Sequence, residues 1–486
     1  MEAATPCPIV DRVRLIAAGR PEDPAVVGGG ERITYRDLLR QTDRWQGRCA
    51  ALGLATGTPV AVLTGGEPAT AAAFLGARAA GLVPLLVDEQ QAAARVTAVL
   101  EAARPSAVLR PATGEAEPTG EPDPRVLPAS AGYLVFSSGS QGTPKGIVGR
   151  AAGLLAFIDW EIAALGLAPG TRVAMLTSPS FDVVYRDLLL PLCSGGELHV
   201  APRSTRVTPA AVLPWLAESG IEVLHAVPSL SARWLAAAPP TTLDALRHTV
   251  FAGEPLYGRH VRQWRAVAPK SKVGNLYGPS ETTLAKFHYE VPDDCGSGLQ
   301  PVGHPLPGTV LGLEPVDPAG APGVQRVVIT TPDGSLGYLS GACGPDDRAR
   351  LSCGDEGTAF RTQDRGMLDG AGRLVIVGRL DSLVKRRGVF VDIAAIEAAA
   401  ADLPAVRSAC CVHLPATGDV VLVVEVPDPA VAPALRRPLH AVLGAGMPDR
   451  VIGLAAMPLL PGGKADRRGL RELLDLKGAD DDREAS

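Results

Sequence analysis

The chain has 486 residues, more than one hydrophobic core usually supports, so its length indicates at least two domains. Apolar residues make up 46% and charged residues 20% of the sequence, which excludes a disordered protein. A net charge of −5 favours neither nucleic acid nor an anionic membrane as a partner. The sequence shows no amino-terminal leader and no long apolar segment, so we expect a cytoplasmic protein.

Strands and helices alternate in the first part of the chain. A hairpin is predicted at residues 28–30, where three glycines separate two apolar runs, and a helix follows from Tyr35 to Leu52. The alternation continues with strands at 60–63, 83–87 and 107–109 and helices at 69–80 and 92–103. This order is typical of a parallel sheet covered by helices. Residues 111–130 are rich in Pro, Gly and Glu and are predicted to form a surface linker.

A short apolar strand at 133–136 leads into a loop rich in glycine and hydroxyl side chains, which ends at Lys145. Backbone amides, hydroxyls and a lysine in this arrangement suit the phosphates of a nucleotide. Pro144 and Gly146 flank the lysine, so the loop is not of the Walker type. Only seven basic residues are lysines, and a lysine in such a loop is a candidate for a compact point charge. The alternative is an ordinary polar turn between two strands.

The strand–helix order resumes after this loop and predicts a second parallel sheet. Its strands are expected at 173–176, 197–200, 222–225, 249–251 and 272–275, and its helices at 153–165, from 183, at 210–219 and at 260–267. From about residue 300, short alternating runs with Pro/Gly turns favour a small β-barrel or a twisted antiparallel unit.

A compact α+β segment follows residue 381, with helices expected at 393–401 and 432–443 and strands at 409–414 and 420–426. Cys410 and Cys411 lie in the first of these strands and are expected to be buried free thiols. The eight cysteines include no C-x-x-C pair, which argues against a zinc knuckle or a disulfide framework.

Five further motifs follow the loop in a fixed order. They are Ser180–Asp182, Asn275–Thr283, Phe360–Arg365, Gly378–Gly388 and Gly462–Arg467. Together with the loop they closely resemble the adenylate-forming enzymes, in particular the amino-acid adenylation domains of nonribosomal peptide synthesis. The resemblance covers nearly the whole chain.

This resemblance implies an α/β fold with two main parts. Residues 1–380 are expected to form a large amino-terminal body of two helix-covered, mainly parallel sheets plus a small β-barrel. Residues 381–475 would form a small mobile α+β carboxy-terminal domain, and the acidic tail 476–486 is expected to be disordered.

The resemblance also implies a two-step ligase reaction. The carboxylate of an amino acid reacts with ATP to give an aminoacyl-AMP and pyrophosphate, and the acyl group then passes to the phosphopantetheine thiol of a separate carrier protein. ATP and Mg²⁺ are the implied cofactors. The setting would be natural-product or antibiotic biosynthesis, and a small MbtH-like activator is a further candidate partner.

The resemblance assigns nucleotide contacts residue by residue. Those expected to bind ATP are Ser137, Ser138, Gly139, Ser140, Gly142, Lys145, Asn275, Tyr277, Gly278, Ser280, Asp364 and Arg379. Within this set the loop residues would hold the leaving phosphates, Tyr277 and Asn275 would contact adenine, and Asp364 would contact the ribose. From the residues alone, the 275–283 motif could equally be a Gly-Pro turn followed by a helix with an acidic first turn.

Four residues would carry the chemistry: Lys464, Lys145, Glu281 and Thr282. Glu281 would hold Mg²⁺, Thr282 would touch the α-phosphate, and Lys464 would bridge the substrate carboxylate and that phosphate. Asp381 matches the hinge of the small domain, although a loop carboxylate or a helix cap is the structural alternative. Lys385 and Gly388 would serve thioester formation after the domain rotates.

Asp182 matches the carboxylate that pairs with the α-ammonium of an amino acid, and its structural alternative is a helix N-cap. The resemblance places the substrate pocket at Asp182, Val183, Arg186, His225, Val250, Ala252, Gly253, Leu276, Leu284 and Ala285. Arg186 either pairs with Asp182 or Asp187, or reaches an acid on the substrate, because a buried arginine without an anion is costly. We therefore expect a small polar or acidic amino acid, aspartate-like first and serine-like second.

Two other function classes remain open from the sequence. An acyl- or aryl-coenzyme A ligase of the same fold is disfavoured by Asp182, because the aryl- and fatty-acid-activating members of the family lack this carboxylate. A non-catalytic nucleotide-binding interaction protein is disfavoured because five candidate residues occur together: Lys145, Glu281, Asp364, Arg379 and Lys464.

Overall fold

A computed structural model describes residues 7–121, 125–138, 144–316, 323–341, 343–354, 356–386, 389–415, 417–459 and 465–474. Its contacts divide the chain into two units, one formed by residues 1–312 and 328–362 and the other by 313–327 and 363–486. The boundary expected near residue 380 is a different kind of division, because it marks where a small domain would rotate. It remains a prediction. Within the described segments, no helix is both long and apolar enough to cross a membrane.

In the described part of the first unit, nine helices have ten residues or more. They are α1 (Pro8–Gly19), α2 (Tyr35–Ala51), α3 (Thr70–Ala79), α4 (Ala93–Ala103), α5 (Ala151–Leu165), α6 (Val183–Ser194), α8 (Pro209–Glu218), α9 (Pro228–Ala237) and α10 (Gly258–Val267), and two short helices are α7 (Arg203–Val207) and α11 (Pro345–Ala349). The sequence missed α9. It starts at Pro228, and proline suits a first helical position because no intrahelical bond needs its missing N–H.

The first sheet has seven strands in the order β18-β8-β7-β4-β3-β5-β6. These are β3 (Pro59–Thr64), β4 (Val83–Asp88), β5 (Ala107–Arg110), β6 (Glu115–Pro118), β7 (Ala131–Ser138), β8 (Pro144–Arg150) and β18 (Gly337–Tyr338). The central pairings are parallel, as predicted. Strand β6 lies inside the expected linker and pairs with β5 in antiparallel fashion. Its exposed, proline-terminated sequence is typical of an edge strand, which is why composition alone indicated a loop.

The second sheet has nine strands in the order β15-β14-β13-β12-β11-β9-β10-β1-β2. These are β1 (Pro24–Gly28), β2 (Glu31–Thr34), β9 (Arg172–Met175), β10 (Glu197–Val200), β11 (Val223–Ala226), β12 (His248–Ala252), β13 (Lys272–Tyr277), β14 (Phe287–Val291) and β15 (His304–Pro305). The predicted parallel strands form its centre, and the amino-terminal hairpin joins its edge, since β1 runs parallel to β10.

Helix α6 connects the two sheets of the first unit through Tyr185. Its hydroxyl donates to the carbonyl of Leu134 at 2.7 Å and accepts from the amide of Leu86 at 3.2 Å, and both partners belong to the first sheet. The helix follows β9 of the second sheet. Its side chains are buried from Val184 to Cys193, and the motif Ser180–Asp182 leads directly into its first turn.

Beyond residue 300 the chain forms a five-stranded sheet of order β16-β17-β20-β19, with β21 also beside β20. The strands are β16 (Val310–Glu314), β17 (Gln325–Thr331), β19 (Leu351–Gly354), β20 (Gly357–Leu368) and β21 (Leu374–Arg379). Strand β20 pairs in antiparallel fashion with both β19 and β21. This agrees with the expected change to antiparallel structure.

The second unit has its own core around a three-stranded sheet. Its elements are β22 (Leu383–Arg386), β23 (Val389–Asp392), α12 (Ile393–Ala401), β24 (Ser408–Leu414), β25 (Asp419–Glu425), α13 (Arg436–Leu443) and β26 (Arg450–Leu454). Cys410 and Cys411 are buried free thiols on opposite faces of β24, as predicted. The helix expected at 432–443 is a 3-10 segment up to Leu435 and α-helical only afterwards, because Pro433 cannot donate an intrahelical hydrogen bond.

Candidate active site

The predicted phosphate loop connects two antiparallel strands of the first sheet, β7 and β8. Their register pairs Ser137 with Lys145 and Ser138 with Pro144. The loop residues Gly139, Ser140 and Gly142 lie outside the described part of the chain. The strand pair therefore brings the two ends of the motif together, with residues 139–143 as the connection between them.

Lys145 forms an ion pair that the sequence did not predict. Its Nζ lies 2.6 Å from Asp347 Oδ2, and the two side chains are only 16% and 12% exposed. Arg350 contacts the other oxygen of the same carboxylate. No motif marks Asp347 and Arg350, which lie in and directly after the short helix α11. Only the folded chain brings them to the lysine.

Glu281 lies in a short 3-10 turn, Ser280–Thr282, soon after strand β13. Its Oε1 accepts a hydrogen bond from the hydroxyl of Tyr338 at 2.7 Å. Burial raises the pKa of Glu281 and the charge of Asp182 adds to this effect, whereas Tyr338 and Lys145 lower it. Tyr338 pairs with Ile147, two residues after Lys145 on β8, so its hydrogen bond brings Glu281 to the strand that carries Lys145. Asp182 caps helix α6, whose Tyr185 packs on Tyr133 of the partner strand β7 at 4.4 Å between ring centroids.

The donor chemistry at Glu281 fits the expected magnesium ion. Mg²⁺ prefers oxygen ligands and keeps several waters, so one carboxylate together with phosphate oxygens can hold it. The described residues assemble no cluster of three or more His, Cys, Asp and Glu side chains that could form a metal cage. Glu281 is thus the residue that would supply the protein ligand, and the ion would supply neutralising charge to the phosphates.

The 275–283 motif runs from the end of strand β13 into a tight loop. Asn275 is buried, and its side-chain amide donates to the carbonyl of Pro301 at 2.8 Å. Tyr277 and Ser280 are half-buried. Thr282 is buried, and its hydroxyl donates to the backbone carbonyl three residues earlier at 2.9 Å. The nucleotide contacts of these residues remain predictions.

Backbone packing within this loop requires glycine at position 278. A Cβ atom there would lie 2.4 Å from the carbonyl oxygen of Leu284 and 2.7 Å from the Cα of Ala285. Thr283 and Leu284 both have positive φ angles, 62° and 57°, so the chain turns back sharply at this point. Only glycine leaves room for this close approach of backbone to backbone.

Asp182 is half-buried at the amino terminus of α6, where it occupies the N-cap position. Its Oδ1 accepts from the amide of Val183 at 2.9 Å. Burial raises the pKa of Tyr133, and the nearby charge of Asp182 raises it further. The structural alternative of a helix cap is therefore present, and a contact with a substrate ammonium remains a proposal.

The other predicted pocket residues lie on elements next to α6. The strand register pairs His225 with Val250 and Ala252 with Leu276 across β11, β12 and β13. His225, Val250, Leu276, Leu284 and Ala285 are buried, Val183 and Ala252 are half-buried, and Gly253 is exposed. The fold thus brings most of the predicted pocket into one layer between the second sheet and its helices.

A buried cluster of charges occupies the same layer. Arg186 donates from Nε and Nη2 to Asp187 Oδ1 at 3.0 and 2.8 Å. His225 Nε2 lies 2.9 Å from Glu161 Oε1, and His225 Nδ1 lies 3.4 Å from Asp187 Oδ1. Of the two alternatives for Arg186, the structure shows the pair with Asp187. The sequence did not single out Glu161, because nothing in a helix of mostly apolar residues marks one glutamate as a partner of a distant histidine.

In the second unit, Asp364 and Arg379 are register partners in the β20–β21 pair. Arg379 Nη1 donates to Asp364 Oδ1 at 3.0 Å, and the same guanidinium donates to both oxygens of Asp381 at 2.8 Å. Three predicted functional residues therefore form one connected group. Lys464 and Gly388 lie outside the described residues, and of Lys385 only the backbone is described.

Comparisons with known proteins agree with this geometry. The family model for AMP-binding enzymes matches residues 13–339. The D-alanine--D-alanyl carrier protein ligase of Bacillus licheniformis is 27% identical over 96% of this chain and 99% of its own length. The dimodular nonribosomal peptide synthase of Bacillus subtilis is 28% identical over 93% of this chain, which spans 20% of that longer protein.

Among solved structures, the crystal structure of IdnL7 superposes with a TM-score of 0.79 at 25% identity. The match covers 96% of this chain and 98% of that one. The chain therefore belongs to the AMP-binding enzymes, the adenylate-forming superfamily that its motifs resemble, and it is an ATP-dependent, AMP-forming ligase.

Proposed function

We propose that the protein activates a small amino acid as its aminoacyl-AMP and then transfers the acyl group to the phosphopantetheine thiol of a separate carrier protein. The observation that carries this proposal is the hydrogen bond from Tyr338 to Glu281 beside strand β8, which carries Lys145, with the helix that Asp182 caps packed on the partner strand β7. A carboxylate for an ammonium group, a carboxylate for Mg²⁺ and a cation for phosphates are the groups that such a reaction needs. Coenzyme A is the alternative acceptor.

In the first step, one oxygen of the substrate carboxylate forms a bond to the α-phosphorus of ATP. The bond between that phosphorus and the oxygen bridging to the β-phosphate breaks, and pyrophosphate leaves. No proton needs to move, so the residues work by alignment and charge compensation. Asp182 would hold the ammonium, Lys145 the leaving phosphates, Thr282 the α-phosphate and Lys464 the carboxylate.

In the second step, a thiolate attacks the acyl carbonyl and AMP leaves with the electron pair of the broken bond. We propose that the small carboxy-terminal domain, residues 381–475, turns about Asp381 between the two steps, which would bring Lys385 and Gly388 to the thiol. The name of the Bacillus licheniformis relative, a ligase acting on a carrier protein, supports a carrier as acceptor, since that relative matches this chain over nearly its full length. An MbtH-like activator stays an untested proposal.

The substrate side chain is proposed to be small and polar. The acidic option depended on Arg186 being available to a substrate carboxylate, and its pair with Asp187 weighs against that option. The serine-like option does not depend on a free cation. We therefore place a serine-like side chain ahead of an aspartate-like one.

Amino-acid-dependent exchange of pyrophosphate into ATP tests the proposed function. We expect exchange with at least one small amino acid, and roughly a hundredfold loss in Lys464→Ala, because that lysine would stabilise charge in the transition state. Benzoate and acetate serve as comparison acids. Exchange with either of them and with no amino acid would replace the proposal with an acyl- or aryl-coenzyme A ligase.

A further inference from the structure

Two buried basic side chains lie beside buried carboxylates on and next to helix α6. Arg186 and Asp187 have side chains that are 5% and 1% exposed, and His225 and Glu161 are both 1% exposed. Arg186 pairs with Asp187, and His225 lies within hydrogen-bond distance of Glu161. A buried set of this kind is tolerable because each basic group has a carboxylate as its partner.

The partners of the cluster hold its geometry. Thr177 donates its hydroxyl to Asp187 Oδ2 at 2.6 Å, so both oxygens of that carboxylate are used. His225 lowers the pKa of Glu161 against the opposing effect of burial, which keeps Glu161 ionised at neutral pH. His288 also faces the cluster, and burial lowers its pKa, so it adds no charge at pH 7. Arg186 is therefore committed to an internal anion.

We propose that Glu161 and Asp187 are specificity-determining residues, which engage His225 and Arg186 in internal pairs and so restrict the substrate to small, uncharged amino acids. This inference rests on the proposed function. An acidic side chain would add an uncompensated negative charge to the buried layer, and a basic one an uncompensated positive charge.

The first test is a comparison of amino acids with the wild-type protein. We expect kcat/KM for pyrophosphate exchange with glycine, alanine or serine to exceed that with aspartate and with lysine by roughly tenfold or more, because a buried unpaired charge is costly. Aspartate or lysine at or above the best neutral amino acid would overturn the inference. That result would still agree with the proposed function, because an amino acid would be activated. Exchange with no amino acid would instead contradict the proposed function.

The second test removes the carboxylate partner of Arg186. Asp187→Asn removes the carboxylate that occupies Arg186, and we expect the ratio of aspartate to alanine kcat/KM to rise by roughly tenfold. Asp159→Asn is the matched control. It makes the same chemical change on helix α5, at a half-exposed side chain paired with Arg12, and should leave the ratio within about twofold.

A ratio that stays unchanged in Asp187→Asn, while the variant still activates alanine, would overturn the inference. A loss of folding would affect both amino acids equally and would not change the ratio. Thermal unfolding of both variants shows whether they fold. If Asp187→Asn does not fold, the wild-type comparison of neutral and charged amino acids tests the inference.

Discussion

At the scale of single residues, Lys145 lies 2.6 Å from Asp347, so a phosphate group that binds this lysine has to compete with that carboxylate. Asp347→Asn removes the competing charge. We expect KM for ATP to fall by about threefold or more, because the pair is mostly buried and the carboxylate holds the lysine that the phosphates would bind. Initial rates of amino-acid-dependent pyrophosphate exchange at varied ATP concentration measure this effect.

Asp346→Asn is the control for that experiment, because Asp346 is the exposed neighbour on the same helix and loses the same charge. It should leave KM for ATP unchanged. A higher KM in Asp347→Asn would show the opposite role for Asp347, namely that it positions the lysine.

Lys286 is a second buried cation near the nucleotide motif. Its amide donates to the carbonyl of Tyr277 at 2.8 Å, and burial lowers the pKa of its ammonium to about 8, with Asp333 opposing. The folded pKa lies below the unfolded value, so the unfolded state binds more protons and stability rises as the pH increases through this range. We expect the free energy of unfolding to increase by about 1 kcal/mol from this residue between pH 7 and pH 9.

Lys286→Met tests this pH dependence. The variant should lack the increase and should be more stable than wild type at pH 7 by about 2 kcal/mol, since it buries no charge. Urea unfolding at both pH values measures the difference. Lys270→Met, at an exposed lysine, is the control and should change stability by less than about 0.5 kcal/mol. An equal pH dependence in Lys286→Met and wild type would refute the assignment.

At the scale of elements, the loop that carries Glu281 depends on the close approach at Gly278. A methyl group there would meet backbone atoms of Leu284 and Ala285, which cannot move aside as a flexible side chain can. We expect Gly278→Ala to destabilise the protein by roughly 2 kcal/mol and to weaken ATP binding. Chemical denaturation and nucleotide titration measure the two effects.

Gly298→Ala is the matched change for that prediction. Gly298 lies in another loop of the first unit, and its Cβ would meet nothing within 4 Å. It should cost little stability. Equal effects of the two substitutions would show that the crowding at Gly278 is relieved by movement of the loop.

The elements themselves were largely predictable where their sequence pattern was long. Helix α2 was expected over Tyr35–Leu52 and is found over Tyr35–Ala51, because one face of it is regularly apolar. Strand β6 and helix α9 were missed. Strand β6 has only four residues, and helix α9 starts with proline. The position of each is set by pairing and packing with segments distant in sequence.

At the scale of the whole molecule, the proposed reaction needs two positions of the small carboxy-terminal domain, residues 381–475. The backbone at Asp381 would have to rotate between the steps, and proline fixes φ near −65°. We expect Asp381→Pro to keep pyrophosphate exchange within about threefold of wild type but to slow acyl transfer to a carrier by tenfold or more. Single-turnover transfer from preformed aminoacyl-AMP measures the second step.

Asp381→Ala serves as the comparison, because it removes the pair with Arg379 without restricting φ. It should affect transfer less than the proline variant. Equal losses of exchange and transfer in Asp381→Pro would argue against a rotation at this residue.

The sequence alone was sufficient for the family, the two parallel sheets and the candidate residues of the reaction, because these depend on local patterns and on short motifs read in order. The partners of those residues were decided by the tertiary structure. Asp347 reaches Lys145 and Glu161 reaches His225 across 202 and 64 positions of the chain. Such pairs leave no local signal, since a carboxylate finds a buried cation only when packing excludes water from both.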